Sequence, residues 1–241
     1  MLNYLFPYNI KCMLCSREIF DDSKYGVCVE CFEKIVFTSD FKCCKLCGRP
    51  ILKVDAYAKC TECHRYGRSF TRGYSCAVYE GVSERIIMGY KYNDKSYLYK
   101  LISEIMINKI IEENIDFDYI LYTPIHITRR LVRGFNQTEL IAKYIGAKTG
   151  KKVLDNLLVR KKMTKRLKKL SRTEREEELK SAFECNKDIN IFASRVLLID
   201  DIFTTGTTLD SCSEILIESG AADVKIITFA VKCNYDYNIY K

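Results

Sequence analysis

The chain has 241 residues, 48% of them hydrophobic, and 39 Lys or Arg against 31 Asp or Glu give a net charge of +8. This length can bury one sizeable core plus a small additional module, and no run of 18 apolar residues exists, so no membrane insertion is expected. The first ten residues lack the basic start of a secretion signal, so we expect a cytoplasmic protein with reduced thiols.

A duplicated cysteine pattern dominates the N-terminal part of the sequence. Each copy has two Cys-x2-Cys pairs separated by twelve residues, and the second copy follows the first by 32 residues. One pair presents two thiolates to a metal ion, and two pairs complete a closed tetrahedral site, so the pattern predicts two structural Zn²⁺ ions. The predicted zinc ligands are Cys12, Cys15, Cys28, Cys31, Cys44, Cys47, Cys60 and Cys63.

The pairing of these ligands is open at this stage. One zinc ion per copy is preferred because each copy is then complete, and a cross-braced arrangement is the alternative. Disulfides are disfavoured without a secretion signal. Cys43, Cys76 and His64 are interpreted as non-ligands. Basic and aromatic residues interleave between the cysteines, which suits single-stranded nucleic acid and equally a solvated surface.

Residues 71–118 are predicted to connect this module to the rest of the chain. Ser75–Tyr79 has the pattern of a strand, and helical periodicity follows in Val82–Tyr92 and Tyr97–Glu113. Lys91 has two interpretations, a cation placed over an active site or a surface residue at a helix end.

A cationic loop follows the next predicted strand, Tyr119–Thr123. His126, Arg129 and Arg133 in this loop suit a polyanion such as pyrophosphate, although Arg-rich loops also occur as plain surface. An amphipathic helix then runs to Gly150.

A strongly basic segment lies between Arg160 and Arg175. It contains nine Lys or Arg and one Glu, so its local charge equals the excess of the whole chain. Such a segment is expected to meet an anion.

The stretch from Arg195 to Gly220 predicts a strand, an acidic pair, a loop and a helix. The apolar run Val196–Ile199 is typical of a strand buried on both faces, and Asp200 and Asp201 follow it directly. Ligands bind at the carboxyl ends of parallel strands, where these acids can accept hydrogen bonds from ribose hydroxyls or help to hold hydrated Mg²⁺.

The loop Thr204–Thr208 precedes the helix, and its backbone amides favour a phosphate. A phosphate beside a sugar predicts a ribose-5-phosphate site. The sequence contains neither G-x-x-x-x-G-K-[ST] nor G-x-G-x-x-G, which disfavours P-loop and dinucleotide sites. A strand-turn-helix without a ligand is the remaining alternative.

The acidic pair with its Thr-Thr-Gly-Thr loop resembles the phosphoribosyl-pyrophosphate (PRPP) signature of type I phosphoribosyltransferases. Pro124-Ile-His126, followed by Arg-x-x-Arg-Gly-Phe-Asn-Gln, resembles the signature of the ComF (competence protein F) family. Together the motifs cover nearly the whole chain. Where the family has Gln near position 167 and Asn near 178, this chain has Leu167 and Glu178.

The resemblance implies an α/β fold: a type I phosphoribosyltransferase domain with a Rossmann-like parallel sheet at residues 119–241, behind a small double zinc ribbon at 1–70. It implies PRPP as ligand, with Asp200 and Asp201 on the ribose and in catalysis, and with Mg²⁺ and the cationic loop on pyrophosphate. The 5-phosphate would be bound by Thr204, Thr205, Gly206, Thr207 and Thr208.

The basic segment would then be a lid over PRPP. The implied function is pentosyl transfer by a glycosyltransferase that takes part in DNA uptake during natural transformation. The alternative is an accessory protein that binds single-stranded DNA, contacts DNA-processing proteins and senses PRPP without catalysis.

Overall fold

A five-stranded parallel sheet organises the part of the chain that the computed structural model describes, which is residues 11–19, 25–51, 58–92, 95–125, 136–161 and 182–233. Across the sheet the strands are β1 (Arg72–Val78), β7 (Asp223–Val231), β6 (Arg195–Phe203), β2 (Tyr119–Tyr122) and β3 (Lys152–Val153). All neighbouring pairs are parallel. Two short strands, β4 (Leu158–Arg160) and β5 (Phe183–Cys185), form a separate antiparallel pair.

Six α-helices lie in the described residues. They are α1 (Val29–Glu33), α2 (Thr61–Tyr66), α3 (Gly81–Tyr92), α4 (Leu98–Glu112), α5 (Gln137–Thr149) and α6 (Thr207–Glu218). The predicted bounds of α3 and α4 are confirmed to within one residue. None of the helices in these ranges is long and apolar enough to cross a bilayer.

The strand before the acidic pair is longer than its apolar run predicts. It continues through both acids to Phe203 because β7 supplies pairing partners for Ile202 and Phe203. Asp200 and Asp201 therefore lie inside β6, near its C-terminal end, and their side chains point to opposite faces of the sheet.

The sheet is buried on both faces, as the continuous apolar run in β6 predicts. Leu197 and Ile199 belong to one hydrophobic core, which includes residues of α3, α4 and α5. Val196 and Leu198 belong to a second core, which includes residues of α6. This double burial is typical of parallel sheets flanked by helices.

The two cysteine repeats lie against opposite faces of this sheet. Cys12 and Cys31 of the first repeat share the core of α3 and α4. All four cysteines of the second repeat share the core of α6, together with Phe70 and Phe203. The segment predicted as a connection supplies β1 to the sheet, and the domain limits at 70 and 118 stay a prediction.

Candidate functional site

Two adjacent carboxylates at the end of β6 form the centre of the site. Asp201 is buried, with 6% of its surface exposed, whereas Asp200 is partly exposed. The Asp200 Oδ1 atom accepts hydrogen bonds from Thr123 Oγ1 and from the backbone N–H of Asp201, both at 2.9 Å. The end of the neighbouring strand β2 therefore fixes the orientation of Asp200.

Lys91, at the C-terminal end of α3, is part of this site. Its Nζ lies 2.7 Å from Asp201 Oδ1, and its side chain is 18% exposed. The interpretation as an exposed helix-end residue is therefore wrong, and the interpretation as a cation at the site agrees with the structure. One positive charge here partly offsets two neighbouring negative charges.

The surroundings of the site shift the pKa values of Asp200 and Lys91. Loss of hydration and the nearby charge of Asp201 raise the pKa of Asp200 to about 7, although Lys91 acts in the opposite direction. Burial would lower the pKa of Lys91, but the carboxylate of Asp201 outweighs it and raises that pKa. Lys91 therefore stays charged, and Asp200 titrates near neutral pH.

The loop Thr204–Thr208 lies directly beyond the carboxylates and leads into α6. Gly206 is the N-cap of that helix and has a φ of 81°, a conformation that glycine adopts at little cost. Thr205 and Thr207 are hydrogen-bonded to each other through their hydroxyl oxygens, at 2.8 Å. The unpaired amides at the start of a helix make this loop suitable for a phosphate.

The start of α5 is tied to the end of β2 beside the carboxylates. The carbonyl of Thr123 accepts hydrogen bonds from Asn136 Nδ2 at 3.2 Å and from Thr138 Oγ1 at 2.8 Å. Asn136 also caps α5 by accepting from the backbone N–H of Thr138. The ends of the cationic loop are thereby placed next to the acidic pair.

Several predicted site residues lie outside the described residues. These are His126, Arg129 and Arg133 of the cationic loop, together with Leu167 and Glu178. Of the basic segment Arg160–Arg175, the structure describes Arg160 and Lys161. Sequence reasoning left the role of Lys91 open and missed Thr123, whose polar side chain at a strand end was the available signal.

Two clusters of four cysteines form the candidate metal centres. The first contains Cys12, Cys15, Cys28 and Cys31, the second contains Cys44, Cys47, Cys60 and Cys63, and the sulfur atoms of each lie within 4.8 Å of one another. The clusters form within the repeats, as the preferred pairing predicts.

The donor sets of both clusters fit zinc. The sulfurs of Cys15 and Cys28 lie 3.7 Å apart, as do those of Cys47 and Cys60. Tetrahedral Zn²⁺ with bonds of about 2.3 Å places its sulfurs about 3.8 Å apart. Three backbone N–H groups also approach the sulfur of Cys12, which favours its thiolate form. The clusters are consistent with two structural zinc sites.

Family comparison divides the chain in the same way. A model of the double zinc ribbon domain matches residues 1–64, and a model of the phosphoribosyl transferase domain matches residues 143–241. The parallel sheet, the loop Thr204–Thr208 and the two cysteine clusters thus define a phosphoribosyltransferase-type domain preceded by a double zinc ribbon.

Curated relatives narrow this class. Competence protein F of Haemophilus influenzae is 32% identical over 108 residues, 44% of this chain and 47% of the relative. DNA utilization protein YhgH of Escherichia coli is 28% identical over 109 residues, 45% and 47% of the two chains. Competence protein ComFC of Streptococcus pneumoniae is 29% identical over 163 residues, which are 62% of this chain and 69% of the relative. These similarities agree with the resemblance to the ComF family.

The match spans about half the length of the first two relatives. Among solved structures, the glutamine PRPP amidotransferase of B. subtilis aligns with 58% of this chain and 30% of its own, at 17% identity and a TM-score of 0.42. Adenine phosphoribosyltransferase of Saccharomyces cerevisiae aligns with 57% of this chain and 69% of its own, at 17% identity and a TM-score of 0.37.

Proposed function

We propose that this chain binds PRPP and acts as a Mg²⁺-dependent, phosphoribosyltransferase-like protein of the ComF type in DNA uptake. One observation carries the proposal: the Asp200 and Asp201 carboxylates immediately precede a loop and helix start suited to a phosphate. A ribose 5-phosphate has vicinal hydroxyls and a phosphate at complementary positions. The names of the relatives support the link to competence and DNA utilization.

Each group in the site has a defined task under this proposal. Asp200 and Asp201 accept hydrogen bonds from the ribose hydroxyls, and the amides and hydroxyls of Thr204–Thr208 bind the 5-phosphate. Lys91 reduces the repulsion between the two acids, so that both can be ionised when the sugar binds. His126, Arg129 and Arg133 bind the pyrophosphate.

The transfer reaction requires mainly that the protein holds the two reactants in the correct position. Displacement at the anomeric carbon passes through a cationic ribosyl species, so the protein must orient both reactants, neutralise pyrophosphate and exclude water. The carboxylate oxygens of Asp200 and Asp201 are ligands of the type Mg²⁺ prefers, so the residues present fit this ion. When bound, Mg²⁺ would neutralise charge on the leaving pyrophosphate.

Calorimetric titration of PRPP into the zinc-replete chain, with and without Mg²⁺, tests the proposal. We expect Mg²⁺-dependent binding, accompanied by about 2.7 kcal/mol of added stability when the ligand is at 100 times its Kd. No heat and no melting shift in the folded protein would contradict the PRPP site.

Gly206→Ala is expected to weaken PRPP binding by at least about tenfold. A Cβ at this position would lie 2.4 Å from Phe203 Cζ, and the positive φ disfavours any side chain. The matched control is Gly150→Ala, which has a φ of 70° and no heavy atom within 4 Å of the new Cβ. Equal affinities of the two variants in the titration would contradict a phosphate site at the loop.

The second candidate function is single-stranded DNA binding through the basic segment. Nine Lys or Arg between residues 160 and 175 suit a polyanion as well as a PRPP lid. Replacing its lysines by Gln is expected to weaken strand binding and to flatten its salt dependence, because fewer counterions are released. An unchanged slope of log Kd against log salt would rule out this role for the segment.

A further inference from the structure

The second cysteine repeat touches the loop proposed to bind phosphate. Arg49 follows Cys47 by two residues and is 4% exposed. Its Nη2 donates a hydrogen bond of 2.6 Å to the backbone carbonyl of Thr204, the first residue of the loop. A charged donor inside the second repeat therefore fixes one peptide group of the loop, and a charge-assisted bond of this kind is stronger than a neutral one.

The ring of Phe203 is the second contact between repeat and loop. The guanidinium carbons of Arg49 and Arg68 both lie 5.7 Å from its centroid, and Phe70 packs against it edge-on at 6.4 Å. The same ring packs against Gly206, where it leaves no room for a Cβ. Phe203 thus links the buried arginines to the bend of the loop.

A third contact joins the repeat to the first turn of α6. Asp210 Oδ1 accepts a 2.6 Å hydrogen bond from the backbone N–H of Ser69, and Asp210 Oδ2 lies 3.7 Å from Arg68 Nη1. Arg68 follows Cys63, one of the predicted zinc ligands, by five residues. Both ends of the loop are therefore anchored to the second repeat.

Both arginine side chains are buried, and a buried charge is costly without a partner. Asp210 supplies an opposite charge to Arg68, and the carbonyl of Thr204 accepts the hydrogen bond of Arg49. The loop therefore fixes the guanidinium group of Arg49, and Arg49 in turn fixes the start of the loop.

We propose that Arg49 of the second repeat is a positioning residue for the phosphate loop, Thr204–Thr208, and that it raises the affinity of this loop for 5-phosphate ligands. The inference rests on the proposed function and adds the residue that orders its loop. Without Arg49, the carbonyl of Thr204 loses this donor and the loop amides lose their common orientation.

The first repeat provides the matched control. Arg17 occupies the same repeat position, 32 residues earlier, but its side chain is 63% exposed and pairs with Glu30 at 2.7 Å. Arg17→Met thus removes the same group beside the other cluster without touching the phosphate loop.

The experiment compares Arg49→Met, Arg49→Lys and Arg17→Met in the full zinc-loaded chain. PRPP affinity is measured by calorimetry, and amide hydrogen exchange of residues 203–210 is measured without ligand. We expect Arg49→Met to weaken PRPP binding by about tenfold and to speed loop exchange by a similar factor, while zinc content stays at two. Arg49→Lys should recover part of both losses, and Arg17→Met should change neither.

Equal affinities and equal loop exchange in the Arg49 and Arg17 variants would overturn the inference, as would faster exchange with unchanged affinity. If the wild type binds no PRPP, the proposed function fails, and loop exchange alone then decides whether Arg49 orders the loop. If Arg49→Met does not fold, Asp210→Ala breaks the third contact from the α6 side. It should then speed loop exchange relative to Arg17→Met, and an unchanged rate would overturn the inference.

Discussion

Replacing Asp200 and Asp201 together by Asn is expected to weaken PRPP binding at least about 100-fold, because hydrogen bonds to charged acceptors contribute about 1.5–3 kcal/mol each. Asn keeps the shape of both side chains but removes both charges. The measurement is the Mg²⁺-dependent calorimetric titration, with Gly150→Ala as a variant outside the site. Binding retained within a few-fold would contradict the proposed ribose contacts.

The single variant Asp200→Asn tests how the raised pKa of Asp200 affects the stability of the folded chain. Its Oδ1 can still accept from Thr123 Oγ1 and from the N–H of Asp201, so the local hydrogen bonds survive. The pKa of Asp200 is about 7 in the folded chain and about 3.9 in an unfolded one. Between these values only the folded state holds the proton, so wild-type stability falls as the pH rises from about 4 to about 7.

The stability of Asp200→Asn does not fall in this way as the pH rises, because Asn does not titrate. The variant should therefore be more stable than the wild type at pH 8 but not at pH 4. We expect the melting temperature to rise by at least about 2–4 °C at pH 8, which is the shift that about 1 kcal/mol produces in a chain of this size. Asp201→Asn should be destabilised instead, because Lys91 loses its partner. Thermal melts of both variants across this pH range test the assignment, and equal behaviour of the two would contradict it.

Removal of zinc is expected to unfold the cysteine repeats. Structural zinc contributes about 10–16 kcal/mol in zinc-finger peptides, which is comparable to the whole stability of a typical domain. We expect two zinc ions per wild-type chain by metal analysis, and a cooperative loss of structure when a chelator is added. A count near one would contradict two complete sites.

Serine variants at matched repeat positions distinguish the two clusters. Cys28→Ser and Cys60→Ser should each leave one zinc ion per chain. The cysteines of the second cluster are all buried, whereas Cys15 and Cys28 are partly exposed, so the first cluster should release zinc to a chelator faster. Cys185→Ser, outside both clusters, should retain two ions.

Local patterns made much of this molecule predictable. The repeat spacing predicted both cysteine clusters, and the sequence from Arg195 to Gly220 predicted strand, acids, loop and helix. These features depend on residues close together in the chain, where periodicity and ligand spacing are informative.

The parts that sequence left open involve distant partners. Lys91 and Asp201 are 110 residues apart, and Arg49 and Thr204 are 155 apart. No periodicity relates such residues, because the sheet order brings them together. The end of β6 was placed too early for the same reason, since its last residues pair with β7, which lies beyond the following helix.

The position of β1 constrains the order of events during synthesis. Its neighbour in the sheet is β7, and the hydrogen-bonded residues Ser75 and Thr228 lie 153 positions apart. At about 5–20 residues per second, a ribosome needs roughly 8 to 30 s to make that interval. Each cysteine cluster spans only 20 residues of chain, so both clusters can bind metal before β7 is synthesised and pairs with β1. The edge of β1 that pairs with β7 therefore stays unpaired during this interval, and an unpaired apolar strand edge is a site of aggregation.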